Sequence, residues 1–567
     1  MKSIYFLPYT GVEKFDEIND QSKNKLSSIT TVKAFALEKV KEYYPTNFEF
    51  DIPELIFIPT VFDYRNAVAY QGVEFALRWY FYQISSKQNF NFKIVLVGTE
   101  EKSSFFQNCD YSNFLKCPNV EYLQNSFEAI NNYVVNYNIK QIDKKEVLER
   151  IKLIGIKAPS SYKSHHSIAN EWAILRWAKV LNIEIKDQSE LKKIEDNIES
   201  DLYYKYLNVI YPIAKNDKYI NKILLNSGNI LFIDDEVEKG WDIIFKTICK
   251  DKSYNSFGKD FKNWNQQEIV EESLKKAKDA DVVILDLRLH DLDFDTTSPK
   301  TLTGFQILEQ IKAYNKGIQV IIFSATNKIW NLQALREAGA DGFIIKESPE
   351  NSVDKSFTNQ SIENIFKTID KSLEFSFLID YYDVYSDLET SLKSKIKSKE
   401  LDKDFVNEYL KWLYFGIHNL TIYKNNEGIV TSFLMCFSVL ENLCNRIIDI
   451  DNYEREYHNS ENVFKFKFRH NNTYLIDFNC IDDYYTKTNN TLYSKNSRLN
   501  WGQKILNTLN FLSNYEIEND LNGINKLVKK RNDLIHSNVT TGDKINISVN
   551  DVNNLFNLIT TNINKIK

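Results

Sequence analysis

Five widely separated side chains are of the types that a phosphoryl-transfer centre needs. Asp234 and Asp235 end the run "NILFIDD", Asp286 ends "VVILD", Ser324 ends "VIIFS" and Lys346 ends "GFIIK". Carboxylates gathered at one place repel each other, and a cation must neutralise them. A hard divalent ion such as magnesium fits, because it binds through one or two carboxylates plus water and phosphate oxygens. A serine hydroxyl can hydrogen-bond a phosphoryl oxygen and a lysine ammonium can offset phosphoryl charge, which is the positioning and electrostatic work that phosphoryl transfer requires.

The elements that must bring these residues together follow from the pattern around them. Each polar residue closes a short apolar run rich in Val and Ile: "NILFIDDE", "DVVILDL" (281–287), "QVIIFSAT" (319–326) and "GFIIKES" (342–348). Helical patterns separate the runs: "VEKGWDIIFKTICK", "NQQEIVEESLKKAKDA", "GFQILEQIKAY" and "LQALREAGA", with a stretch between the first two that reads as irregular. This alternation predicts a parallel sheet covered on both faces. In such sheets ligands bind outside the carboxyl ends of the strands, where the five residues lie.

Taken together, residues 228–350 resemble a response-regulator receiver domain. The resemblance implies that Asp286 is the phosphoacceptor, that Asp234, Asp235, Asp286 and the backbone of Arg288 hold magnesium, and that Ser324 and Phe343 are the switch residues while Lys346 contacts the phosphoryl group. It also implies a sensor histidine kinase or another phosphodonor as partner. Two departures stand out. Glu347 follows the lysine where the family usually has proline, and "HDLDFDTTSPK" lengthens the loop between Asp286 and Gly304. Asp291, Asp293 and Asp295 in that insert either crowd the metal as a lid or form a solvated acidic loop.

The same strand rhythm occurs earlier, in "SIYFLPYT", "PELIFIPTV", "FKIVLVGTE" and "NVEYLQNS". Aligning strand ends pairs Asp234 with Pro8, Asp286 with Pro59, Ser324 with Gly98 and Lys346 with Gln124, and Gly304 with Gly72. Asp234 to Asp286 spans 52 residues against 51 from Pro8 to Pro59; Asp286 to Ser324 spans 38 against 39 from Pro59 to Gly98. The last interval is looser, 22 against 26. Residues 1–135 therefore read as a degenerate receiver-like domain whose acidic positions are lost. Residues 136–227 read as a helical connector containing "SHHSIANEWAILRWAKVLNIEI", with Ser164 or Ser167 as cap and an apolar stripe of Ile168, Trp172, Leu175 and Ala178/Lys179. His165 and His166 lie at the helix entrance, whereas a phosphotransfer histidine belongs mid-helix.

After the central domain (228–371), strand signals fade, and 372–567 reads as an all-α bundle, with "DFVNEYLKWLYFGIHNL" and "GIVTSFLMCFSVLENLCNRIIDI" as examples. Near its end, "INKLVKKRNDLIHSN" places Arg531, Asn532 and His536 within about one and a half turns of one helix. The pattern resembles the R-N-x-x-x-H motif of the HEPN superfamily, and "FSVLENLCNRI", with Glu441 and Asn442, resembles that family's first conserved helix. For ribonuclease members the resemblance implies metal-independent RNA cleavage, with histidine in acid/base chemistry, arginine at the scissile phosphate and two copies meeting as a homodimer. His418, His458 and His470 have no partner at useful spacing.

The fold expected is thus multidomain: two flavodoxin-like (receiver-like) α/β parallel-sheet domains, a helical connector and an all-α C-terminal bundle. A net charge of −6 excludes a wholly basic nucleic-acid platform. No segment approaches the ~18 apolar residues of a membrane span, so no membrane partner and a cytoplasmic location are expected. Six scattered cysteines without C-x-x-C pairs read as reduced core thiols. The functional expectation is a phosphorylation-responsive protein whose receiver controls a HEPN-like, RNA-cleaving output resembling bacterial stress or anti-phage machinery; the alternative is a non-enzymatic adaptor that uses the helical domain for dimerisation or partner binding.

Overall fold

The computed structural model describes residues 2–6, 29–34, 54–61, 70–86, 92–141, 143–157, 165–185, 188–294, 298–325, 329–349, 356–398, 401–458, 461–468, 473–475, 485–488, 491–494, 521–536 and 546–563, with single positions at 505, 508 and 509. Pro8, Asp295, Ser164 and Cys480 lie outside the described residues.

Two five-stranded parallel sheets share one topology. The first contains β1 (Lys2–Phe6), β2 (Ile29–Ala34), β3 (Leu55–Pro59), β4 (Lys93–Gly98) and β5 (Val120–Gln124), in spatial order β2-β1-β3-β4-β5. The second contains β6 (Asn229–Ile233), β7 (Ser253–Phe257), β8 (Val282–Leu285), β9 (Gln319–Ser324) and β10 (Gly342–Ile345), in order β7-β6-β8-β9-β10. In each, the chain's second strand flanks the first at one edge and the order then runs third, fourth, fifth. β2 and β7 are the strands that sequence reading missed. β7, "SYNSF", reads as irregular because an edge strand need not be apolar: none of its five residues is buried and only Tyr254 and Phe257 are half-buried.

Local sequence explains the central strands and helices. β8 and β9 are buried along their whole length, as parallel strands sheltered on both faces must be. The helix Gln266–Ala277 starts at a capping box: Asn265 accepts from the Glu268 amide while Glu268 reaches back to the Asn265 amide. The two sheets also share a close approach. A Cβ on Gly304 would lie 2.2 Å from the Asp286 carbonyl oxygen, and one on Gly72 would lie 1.6 Å from that of Pro59. The Gly304 amide donates to the Leu287 carbonyl and the Gly72 amide to the Thr60 carbonyl, each at 3.1 Å. Glycine is required at both places because the helix start presses on the preceding strand end.

The connector is more deeply buried than an apolar stripe allows. In the helix His165–Val180, Trp172, Ala173, Ile174, Arg176, Trp177 and Ala178 are all buried, whereas Lys179 is exposed. The cause is its position: one continuous core runs from the first sheet through this helix to one face of the second sheet. The other face of the second sheet has a separate core with Phe305, Leu308 and Leu335.

The C-terminal region is not all-α. Helices Leu378–Lys397, Lys403–Ile422, Asn426–Ile447 and Val549–Ile563 build a core of their own, but β11 (Ile448–His458), β12 (Glu461–Phe468), β13 (Thr473–Leu475), β14 (Tyr485–Thr488) and β15 (Thr491–Ser494) form an antiparallel sheet between them. The signal was there in "VFKFKF", whose strict alternation of Phe and Lys is a strand period. One further expectation needs correcting: by length and composition Asn426–Asn445 is apolar enough to span a membrane, with a mean hydropathy of 1.3. Its Phe433, Cys436, Phe437, Leu440 and Cys444 are instead buried among the other helices. Cys109, Cys117, Cys249, Cys436 and Cys444 are free and buried, as expected of core thiols.

Substituting Gly304 or Gly72 by Ala should cost about 1–3 kcal/mol each, since neither strand end can retreat. Gly523→Ala, whose Cβ meets nothing within 4 Å, serves as the control. Urea midpoints for the three variants check this, and an unshifted midpoint for either of the first two contradicts the crowding described.

Candidate functional site

The acidic pocket is made by two neighbouring strands that end together. β6 pairs with β8 so that Ile233 faces Leu285, which leaves Asp234 and Asp286 adjacent as the next residues. Their backbones continue the sheet: the Asp234 amide donates to Phe257 O at 3.1 Å and the Asp286 amide to Ile233 O at 2.9 Å. Carboxylate oxygens of Asp234, Asp235 and Asp286 all lie within 4.8 Å of one another. Lys346 arrives from β10, its amide held by Ser324 O at 2.9 Å.

Lys346 joins the two buried acids. Its Nζ lies 2.9 Å from Asp234 Oδ2 and 2.8 Å from Asp286 Oδ2, and it sits above the rings of Phe323 (4.8 Å) and Trp241 (5.8 Å). The remaining oxygens accept backbone amides: Asp234 Oδ1 from Glu236 and Asp286 Oδ1 from Leu287, both at 2.7 Å. Burial works against the Lys346 charge, but Asp234 and Asp286 outweigh it and hold the ammonium well above its ordinary range.

The carboxylates themselves are under strain. Burial, reinforced by Asp234 and Asp286, pushes Asp235 up to about 8. Burial also lifts Asp234 to about 6, against the pull of Lys346, and raises Asp286. One lysine does not neutralise three carboxylates in this setting, and a hard divalent cation bound by their oxygens suits both the charge and the donor set.

The other expected residues are placed as follows. Ser324 closes β9 and is nearly buried; Phe343 pairs with Ile322 in the neighbouring strand and is half-buried against the core. Arg288 lies two residues past Asp286, with its guanidinium over the Phe294 ring at 5.4 Å. In the long loop, Asp291 is exposed, but Asp293 is neither a lid nor a solvated acid. It is 0% exposed and accepts from the amides of Leu289 (2.9 Å), His290 (3.0 Å) and Thr303 (3.0 Å), from Thr303 Oγ1 (2.9 Å) and from Gln266 Nε2 (3.1 Å). Its carboxylate folds the insert back onto the start of the following helix, Thr303–Tyr314.

Sequence reading missed the partners of Glu347. The side chain is 1% exposed and accepts from Trp177 Nε1 (2.7 Å), Thr358 Oγ1 (2.7 Å) and Arg176 Nε (3.1 Å), the last two donors' residues also bonding each other at 2.9 Å. The available signal was an arginine inside the apolar run "AILRWAKV", since a buried arginine needs a carboxylate.

In the C-terminal region, the Arg531 guanidinium lies 2.6 Å from Glu441 Oε1 and also donates to Asn532 Oδ1 at 3.2 Å. The helix Leu521–His536 thus faces Asn426–Ile447 through the two residues that sequence reading had placed in the HEPN pattern. The side chain of His536 lies outside the described residues, as do those of His165, His166, His458 and His470. His418 stacks on Tyr414 with ring centroids 5.3 Å apart.

Residues 230–357 match the family model of the response regulator receiver domain. No curated protein matches the chain. Among solved structures, similarity was found to a crystal structure of a two-component system response regulator/GGDEF domain protein, at 10% identity, covering 66% of this chain and 100% of that one with a TM-score of 0.17. It was also found to the lysine decarboxylase LdcF of Francisella novicida, at 8% identity, covering 70% of this chain and 62% of that one with a TM-score of 0.19. At such TM-scores neither likeness bears on the fold or function of this chain.

The raised carboxyls set a direction for pH. Asp234 and Asp235 keep protons in the folded chain at pH values where the unfolded chain, near its ordinary 3.8, has lost them. The folded state therefore binds more protons, and their contribution to stability falls as pH rises from about 4 to about 8. In EDTA, wild type should lose more of its urea midpoint between about pH 5 and about pH 8 than Asp235→Asn does; equal losses would contradict the assignment.

Proposed function

We propose that this protein is a phosphorylation-responsive two-component signalling protein in which Asp286 accepts a phosphoryl group. The observation that carries this reading is the shared grip of Lys346 on Asp234 and Asp286 at the mouth of two adjacent strands. An Asp286 carboxylate oxygen attacks phosphorus, an acyl-phosphate P–O bond forms, and the bond from phosphorus to the donor's leaving group breaks. Asp234, Asp235, Asp286 and the backbone carbonyl of Arg288 would hold magnesium, which supplies positive charge against the transferring oxygens. Lys346 moves its ammonium from the carboxylates toward the new phosphoryl oxygens, and Ser324 hydrogen-bonds one of them while Phe343 follows. The donor is a histidine kinase or a small acyl phosphate.

In the same reading the first sheet is a receiver-like domain without chemistry. Its common strand order and the matched Gly72–Pro59 and Gly304–Asp286 approaches support this. Proline at position 59 offers no carboxylate, so the domain's role is packing or binding.

For the output, the HEPN-like reading assigns RNA cleavage to Arg531, Asn532 and His536 of a homodimer. The adaptor reading is favoured by one observation: Arg531 is already bound to Glu441, and a guanidinium so engaged is a structural tie between helices.

Acetyl phosphate with magnesium should label wild type and leave Asp286→Asn unlabelled; labelling of both removes Asp286 from the role. Incubation with RNA, with and without acetyl phosphate, separates the outputs. Cleavage lost in His536→Ala supports the ribonuclease, while intact RNA with wild type in every condition supports the adaptor.

A further inference from the structure

We propose that the connector helix His165–Val180 completes the acceptor site, with Arg176 and Trp177 acting through Glu347 as positioning residues for Lys346. This deepens the phosphoacceptor reading and rests on it.

Three contacts lead from the helix to the pocket. Glu347 is covalently next to Lys346, so three donors on its carboxylate restrict the backbone from which the lysine projects. On the opposite side of the pocket, Asn170 donates to Glu236, whose own amide holds Asp234 Oδ1 at 2.7 Å. Asn170 and Trp177 are seven residues apart, two helical turns, and therefore share a face. Beneath the ammonium, the Trp177 ring meets Trp241 edge-on at 5.1 Å and Phe323 at 6.2 Å. These are the two rings over which Lys346 Nζ sits. One helix face thus touches the loop after β6, the loop after β10 and the aromatic floor between them.

The arrangement replaces a local device with a remote one. Where the family usually places proline after the lysine, this chain has a carboxylate tied to residues 170 and 171 positions away in sequence. A phosphoryl group adds about −1.5 to −2 charges, and the ammonium must turn toward it without losing its backbone position. A phosphoryl contact misplaced by about 1 Å costs on the order of a hundredfold in rate. Charge alone is not the reason for the pair: burying Arg176 against Glu347 is energetically expensive, and apolar residues of similar volume would pack as well. The C-terminal region does not share this position. It joins the opposite ends of the strands, through Lys424 to Asp341 (2.7 Å) and Asn315 to Asp383 (2.7 Å).

The test uses the full chain, with acetyl phosphate as donor and beryllofluoride with magnesium as phosphoryl mimic. Glu347→Gln keeps the shape and weakens the grip, and Trp177→Phe removes one donor while keeping a ring. The pair Arg176→Met with Glu347→Met leaves no unpaired buried charge, and so serves where a single variant does not fold. Phosphoryl uptake and beryllofluoride affinity, each per folded molecule, should fall at least about tenfold in the double variant and less in Trp177→Phe, with magnesium affinity unchanged because no ligand is altered. Uptake and beryllofluoride binding at wild-type levels in folded variants overturn the inference while leaving Asp286 as acceptor. If wild type itself takes up no more phosphate than Asp286→Asn, the acceptor reading fails and this inference falls with it.

Discussion

Everything at the acidic pocket depends on repulsion between buried carboxylates. Asp234 and Asp286 stand side by side because β6 and β8 pair in register, and the sheet cannot separate them without losing that pairing. Lys346 is the charge that makes the arrangement tolerable in the folded chain, at 2.9 and 2.8 Å from the two. The raised carboxyls of Asp234, Asp235 and Asp286 show that the compensation is incomplete. A hard divalent cation at their oxygens would offset the charge that Lys346 leaves uncompensated.

The first sheet isolates this point. It repeats the strand order, and Gly72 presses on Pro59 as Gly304 presses on Asp286. The positions aligned with Asp286, Ser324 and Lys346 are nevertheless Pro59, Gly98 and Gln124. A fold of this type closes without acids at its strand ends, so the acids of the second sheet are not there for folding. Their burial costs stability, a cost that the second sheet carries and that the matched strand ends of the first sheet do not.

Legibility in the sequence followed the range of the interactions. Buried parallel strands such as β8 and β9 are continuous apolar runs, and the residues that close them are adjacent in sequence, so the strands and the four charged residues that meet at their ends, Asp234, Asp235, Asp286 and Lys346, could be read. β7 could not, because an edge strand carries polar residues, and the sheet β11–β15 was passed over although "VFKFKF" alternates plainly. The role of Asp293 was hidden for a different reason: its donors come from three segments, and only the fold shows that the acid is consumed by them. Glu347 was legible as an oddity and not as a contact. Its partners Arg176 and Trp177 belong to another segment, and no local periodicity carries that information.

The two ends of the second sheet are joined by one helix, Phe357–Glu374. It begins beside the acidic pocket, where Thr358 donates to Glu347 and accepts from Arg176. It ends against the C-terminal region, where Phe375 and Leu378 enter the helical core and a Cβ on Gly317 would lie within 2.3 Å of the Leu378 backbone. Helices are stiff along their axes, and packed cores switch between discrete arrangements and do not deform smoothly. A ligand at the acidic pocket would bias the far end only through a difference in affinity between two such arrangements. Thr358, bonded to both Glu347 and Arg176, ties the start of this helix to the connector helix His165–Val180, so the acidic pocket, the connector and the C-terminal core are packed into one continuous set of contacts.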